Sequence, residues 1–175
     1  MTFRRALAPL AALSLMLLAA CATATRVDAA GDVHAFLVAV RDNDRGGFDQ
    51  HVDRPALKRQ LEGRILDMSR GRKPSEQLAM TLLAGPAAKA MVDNLIQPQV
   101  FRLTAEYFGY RPTTPIPGRL AIAGALRYRP DGTVCAVAKA KGNCLLIFAN
   151  EGGTWKLTGF EGDLGDLNGL KGVLR

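Results

Sequence analysis

Three prolines stand within six residues, Pro112, Pro115 and Pro117. Proline fixes φ and removes a backbone donor, so no regular element can run through the middle of 111–118. The apolar residues change their period across this segment. Before it they recur at helical spacing, and after it they alternate.

On the N-terminal side, Val33, Phe36, Leu37 and Val40 fall at i, i+3, i+4 and i+7 behind Asp32, which predicts a first helix with Asp32 as its N-cap. Asp44 is placed to cap a short second helix carrying Phe48 and Val52. Asp53 and Pro55 mark a third start, and Leu57, Leu61, Ile65 and Met68 form its apolar stripe up to the break at 69–74. Ser75 with Leu78, Leu82 and Leu83 predicts a fourth helix closed by Gly85 and Pro86, and Ala87, Met91 and Leu95 a fifth. Pro98 opens a sixth through Val100, Leu103, Thr104 and Tyr107.

On the C-terminal side, Leu120, Ile122, Leu126 and Tyr128 alternate with Arg119, Arg127 and Arg129, the pattern of a half-buried strand. Asp131-Gly132 predicts a hairpin pairing Tyr128 with Cys135 and Leu126 with Val137. A turn centred on Glu151-Gly152 pairs Phe148 with Trp155 and Leu146 with Leu157. The expected apolar face is Leu126, Tyr128, Cys135, Val137, Cys144, Leu146, Phe148, Trp155 and Leu157. These readings predict an α+β domain, with N-terminal helices packed on one face of a C-terminal four-stranded antiparallel meander. Helices span about 32–109, a linker 110–118, strands about 119–160 and a tail 161–175. Val134, Leu145 and Ile147 are left on the opposite face, to be covered by the tail, with Leu164, Leu167, Leu170 and Val173, or by a partner protein.

The N-terminus sets the address. Arg4 and Arg5 precede an apolar run from Ala6 to Ala20, and small residues lead into Cys21, the plan of a secretory signal over 1–20. The run is shorter than the roughly 20 residues that span a bilayer. Leu18-Ala19-Ala20-Cys21 resembles the lipobox of bacterial lipoproteins, in which the cysteine is acylated and becomes the first residue. Residues 21–31 then read as a lipid-anchored tether reaching at most about 35 Å. The alternative is cleavage after Ala24, releasing a soluble periplasmic or secreted chain.

Cysteine count bears on the same question. Three cysteines leave one thiol unpaired in an oxidising compartment. Acylation of Cys21 leaves Cys135 and Cys144 as an even pair, whose disulfide would stabilise by roughly 2.7 kcal/mol in the chain-entropy model. The alternative is two buried, reduced cysteines.

Removal of residues 1–20 leaves 155 of the 175 residues, enough for one domain with a core, and takes the net charge from +7 to +5. The charges are interleaved, and neither the composition nor any motif points to nucleic acid. Two histidines and, beyond the signal, only Ser69 and Ser75 supply little catalytic stock. Asp49, His51 and Asp53 lie close together, but i and i+2 on a helix diverge by about 200°, so they are read as a cap and a surface turn. No metal, cofactor or catalytic set is assigned. His34 is read as packed or exposed, Trp155 as a core residue, and Arg54, Lys58, Arg70, Arg72 and Lys73 as a solvated face or a headgroup contact. Gly152, Gly153, Gly159, Gly162 and Gly165 are not spaced as a phosphate loop.

The run from Asp44 through His51-Val52-Asp53-Arg54-Pro55-Ala56-Leu57-Lys58, then Leu95-Ile96-Gln97-Pro98 and Gly153-Thr154-Trp155-Lys156-Leu157-Thr158, resembles an uncharacterised family of proteobacterial exported proteins, a domain of unknown function. Arg54 stands where an aromatic is usual and Lys58 where arginine is usual. The resemblance implies a fold and an envelope address but no activity. The helix start and the late Trp-Lys-Leu strand are also similar to the NTF2-like superfamily, whose curved sheet often forms a ligand pocket. Two functions are therefore expected: a non-enzymatic envelope lipoprotein, held to the membrane by its lipid and meeting an envelope partner, or a pocketed domain that binds or transforms a small molecule. The second predicts a cavity between sheet and helices with two or more convergent polar side chains.

Overall fold

The computed structural model describes residues 7–69, 93–107, 109–137 and 144–161, without the side chains of 7–21, 65, 66, 68 and 69. Helix α1 (Leu7–Asp42) runs unbroken for 36 residues. This corrects two expectations: residues 21–31 are helical rather than an irregular tether, and Asp32 lies inside the helix rather than at its cap. Ala22, Ala24, Ala29 and Ala30 are strong helix formers, and the roughly 1 kcal/mol cost of Gly31 is small beside the burial of one helix face. Ala29 and Ala30 are wholly buried, so the core starts before Asp32. The Arg119 guanidinium lies over Gly31, 2.6 Å from where a Cβ would stand.

Asn43, in the left-handed region at φ 55°, ends α1. Asp44 then caps α2 (Arg45–Gln50), its Oδ1 accepting from the Gly46 N–H at 3.0 Å. Asp53 caps α3 (Arg54–Ser69) through the Ala56 N–H at 3.0 Å, with Pro55 in the first turn. Both caps are as the sequence predicts. The expected fourth helix and most of the fifth fall outside the described residues. Helix α4 (Pro98–Tyr107) begins at its proline as expected, yet the side chain that packs on the core is Phe101, while Tyr107 is exposed.

Residues 111–118 are irregular, as three prolines require. Beyond them comes a correction. Arg119–Ala125 is a helix, α5, and only Leu126–Tyr128 forms strand β1. The run Leu120-Ala121-Ile122-Ala123-Gly124-Ala125 fits either period, because small residues separate the large ones. Alanine favours helix, which buries Ile122, Ala123 and Leu126 and leaves Leu120 at 81% exposure.

Strands β2 (Val134–Val137), β3 (Cys144–Glu151) and β4 (Thr154–Phe160) complete a four-stranded antiparallel sheet in the order β1-β2-β3-β4. The architecture is α+β, with helices in the N-terminal part and the sheet C-terminal. Both hairpin registers differ from those expected. Tyr128 pairs with Val134 and Leu126 with Ala136, one residue from the predicted register. Pro130 and Asp131 occupy a turn closed by Gly132 N–H donating to Arg129 O, with Gly132 at φ 82° as the extra left-handed residue. That bulge makes a three-residue loop where Asp131-Gly132 alone would make two. A one-residue slip exchanges the faces. Val134 therefore enters the core, while Cys135 turns to the opposite side. The Thr133 hydroxyl, then its N–H, donates to Asp131, holding that carboxyl below its ordinary value. This contribution to the turn is present above the ordinary carboxylate pKa and is lost as pH falls through the lowered one.

The second hairpin turns on Gly152 and Gly153, both at positive φ, pairing Asn150 with Trp155 and Phe148 with Leu157. The shift is by an even number, so Phe148, Trp155 and Leu157 still share the core face. Cys135 and Cys144 are joined in a disulfide, with Cα atoms 5.4 Å apart. Alternation from Val134 and Ala136 puts it on the sheet face away from the helices, where Leu145 is exposed. The tail expected to cover that face lies outside the described residues.

The core centres on Phe36 of α1, whose ring meets Phe48, Phe101 and Phe148 at 5.7, 5.9 and 5.8 Å between centroids. Helices α1, α2 and α4 are thereby tied to β3 through one side chain. Phe36→Ala is expected to cost about 3–5 kcal/mol, read by urea unfolding with Trp155 fluorescence. A loss below about 1 kcal/mol would show that the four rings are not one packed unit.

Candidate functional site

Strand β4 is the edge of the sheet, and its outward backbone groups would be open to any passing strand. Among the described residues, α1, the α2–α3 connection and α3 satisfy them in turn. The Trp155 N–H donates to Asp32 Oδ2 at 2.8 Å. The Leu157 N–H donates to the His51 carbonyl at 2.9 Å, and the Leu157 carbonyl accepts from the Asp53 N–H at 3.0 Å, so Val52 forms a one-residue parallel bridge. The Gln60 side-chain amide accepts from the Phe160 N–H at 3.0 Å and donates to its carbonyl at 2.6 Å, joined there by Arg64 at 3.1 Å. A bulge near Thr158, between the Leu157 and Gly159 pairings, keeps Phe160 in phase with Gln60.

The polar constellation that crosses elements lies at the start of this edge. Asp28 and Asp32, one helical turn apart on α1, face Trp155: Asp28 Oδ2 accepts from the indole N–H at 2.8 Å. His51 Nδ1 stands 3.9 Å from Asp32 Oδ1 and has no hydrogen-bond partner, with the ring only 12% exposed. The neighbours of His51 in sequence are drawn elsewhere. Asp49 pairs with Arg54 at 2.6 Å, and Asp53 is committed to its cap. The trio therefore does not converge, and among the described residues no group of three His, Cys, Asp or Glu side chains could hold a metal ion. The Asp28–Trp155–Asp32 arrangement is a clamp between α1 and β4. One oxygen of each carboxylate is thus taken by a donor on Trp155. An i, i+4 carboxylate pair on the stripe that also carries Ala29 and Phe36 was the available sequence signal, hidden by reading Asp32 as a cap.

Of the proposed basic face, Arg54 pairs with Asp49 and Lys58 with Asp93, and residues 70–73 lie outside the described set. Trp155 is 3% exposed, in the core rather than on a platform.

Cavities open between the layers among the described residues. One, of about 180 Å³, lies between α1, α5 and the sheet and is lined among the described residues by apolar side chains alone, including Val33, Leu37, Ile122, Leu146 and Phe148. It lacks the convergent polar groups that the pocketed alternative requires. Another, of about 350 Å³, is lined by Ala22 and Arg26 of α1, Gly124 of α5, Leu126, Arg127 and Tyr128 of β1, and Val137 of β2.

Comparison with known families matches residues 14–103 to proteins of unknown function, DUF2939. The chain belongs to the DUF2939 family. The match covers just over half of the 175 residues, with α1 from residue 14 onward, α2, α3 and the first half of α4. It contains Asp32, His51, Asp53 and Gln60, whose groups in this chain close the β4 edge, and Asp28, which holds the indole, and it stops short of the Trp-Lys-Leu-Thr strand. No curated protein and no solved structure matches the chain.

The clamp predicts a coupled loss. Asp28→Ala leaves the indole N–H without its acceptor and should destabilise by about 1–2 kcal/mol, with Asp28→Asn costing less. In a Trp155→Phe background the same Asp28→Ala change should cost several-fold less, by chemical unfolding followed by circular dichroism. Equal costs in the two backgrounds would show that Asp28 acts through something other than the indole.

Proposed function

We infer that this DUF2939 chain is a cell-envelope lipoprotein, acylated on Cys21 and held on the periplasmic side of a bacterial membrane, where its α+β domain serves as a non-enzymatic binding or accessory module. The observation that carries the reading is the partition of the three sulfurs. Cys135 and Cys144 are joined to each other, which leaves Cys21 alone at the end of an apolar leader within Leu-Ala-Ala-Cys. A disulfide suits an oxidising compartment, and an acylated first cysteine suits a chain whose remaining sulfurs are already paired. The non-enzymatic reading draws support from how the polar side chains are used: Asp32 and Gln60 hold strand edges, Asp44 and Asp53 cap helices, and Asp28 holds the indole.

The helical course of α1 alters what such an anchor would do. With a rise of about 1.5 Å per residue, Cys21 lies only about 12 Å along the helix from Ala29. The domain would then stand against the bilayer on a short stalk, in one orientation, instead of sampling a sphere on a loose thread.

Metabolic labelling with a fatty acid should mark the wild-type chain and leave Cys21→Ser unmarked. Thiol counting on the mature, denatured, unreduced protein should find no free thiol. An unlabelled wild type, or one free thiol per mature chain, would overturn the anchor.

A further inference from the structure

Three side-chain nitrogens among the described residues are buried without a hydrogen-bond partner: Arg26 Nε, His51 Nδ1 and Arg102 Nε. Two of them have a carboxylate within 4 Å, Asp32 for His51 at 3.9 Å and Glu106 for Arg102 at 3.7 Å. Arg26 has none among the described residues; its Nη2 reaches only the Thr23 hydroxyl, at 3.2 Å. A guanidinium N–H shut off from water and left without an acceptor is costly, and a negatively charged oxygen relieves that cost best. Arg26 lines the larger cavity. Among the described residues Arg127 and Tyr128 line it too and no acidic side chain does, and Ala22, Leu126 and Val137 give it an apolar wall.

Its place relative to Cys21 decides among anions. Arg26 follows Cys21 by five residues on the same unbroken helix, about 7.5 Å along the axis. The headgroup layer on each side of a bilayer is roughly 5–8 Å deep. A cysteine acylated at the edge of the hydrocarbon thus sets Arg26 level with lipid phosphates. We propose that the cavity formed by Arg26, Arg127 and Tyr128 binds the headgroup phosphodiester of an anionic membrane phospholipid, with Leu126 and Val137 against the first carbons of its glyceride. This rests on the anchored reading for its depth argument. The ligand would supply the acceptor that Arg26 Nε lacks, and a guanidinium group favours a net-negative headgroup over a zwitterionic one.

The test uses the chain extracted from cell membranes into maltoside micelles, with the arginine Nε–Hε resonances observed by NMR. Adding phosphatidylglycerol to the micelles should move the Arg26 resonance along a saturating curve. Phosphatidylcholine should need about tenfold more lipid for half the shift, and inorganic phosphate at matched concentration should produce no saturation. Arg26→Gln and Arg127→Gln, followed on the remaining arginine and on the Tyr128 ring, should each weaken binding about tenfold or more. Arg26→Lys should recover part of it. The Trp155 indole resonance shows that each variant is folded. Equal response to phosphatidylcholine, saturation by inorganic phosphate, or folded Arg26→Gln protein with unchanged affinity would overturn the site. The mass of the purified chain reports acylation separately. An acylated chain that ignores phosphatidylglycerol sinks the cavity alone, and an unacylated chain that responds to it sinks the anchor alone.

Discussion

The outer edge of β4 is where the two halves of this protein need each other. A four-stranded meander has two open edges, and each unpaired N–H and C=O on them is either hydrated, matched or available to another chain. Here the helical half supplies a match for Trp155, Leu157 and Phe160 in succession, from a carboxylate, a backbone bridge and a side-chain amide. Each contact is worth little by itself, about 1 kcal/mol net. Together they fix the register of α1, the α2–α3 connection and α3 against one strand, and so fix where the aromatic cluster around Phe36 closes. The DUF2939 match ends at residue 103, yet the groups within it are shaped to a strand some 50 residues further on. The helical half is thus incomplete without the sheet.

The α1 helix joins two stretches of different character. Its N-terminal part is apolar enough to read as an export leader, and its C-terminal part must carry one buried face for the core. Both keep the same helical period because the stretch between them, Ala22 to Gly31, is rich in alanine and free of proline. Small polar residues there look like a linker when only hydrophobicity is weighed. Backbone propensity points the other way, and burial of Ala29 and Ala30 decides it.

What could be read from the sequence, and what could not, follows from which forces are local. The caps at Asp44 and Asp53, the first turn at Pro98 and the irregular stretch at 111–118 depend on a residue and its nearest neighbours, and all four stand as read. The sulfur pair was legible from parity and spacing, but its face was not, because one glycine in the left-handed region displaces every partner by a position. Gly132 follows Pro130 and Asp131, and that triplet, rather than the Asp-Gly pair alone, carried the information about a bulged turn. The Ala-rich run before β1 was ambiguous between periods for want of large residues. Asp28 and Gln60 were invisible as functional groups, since their partners, Trp155 and Phe160, lie about 100 residues or more away and are reached only once the sheet is formed.

The same geometry bears on how an anchored domain would face its membrane. A helix passes orientation along its length only if it is held at several points. Here α1 is held at Trp155 by Asp28 and Asp32, and at Phe148 by Phe36. The first of these lies seven residues beyond Cys21, about 10 Å of helix. Attachment through Cys21 would therefore constrain rotation as well as distance. The end of the sheet where Arg26 meets β1 would be turned toward the headgroups, while the Cys135–Cys144 face, with exposed Leu145, would stay on the far side of the sheet from α1. A flexible thread could not maintain that assignment, because a few freely rotating bonds erase orientation within about as many residues. Were Cys21 acylated, the unbroken helix between 21 and 31 is what would hold one end of the sheet toward the membrane.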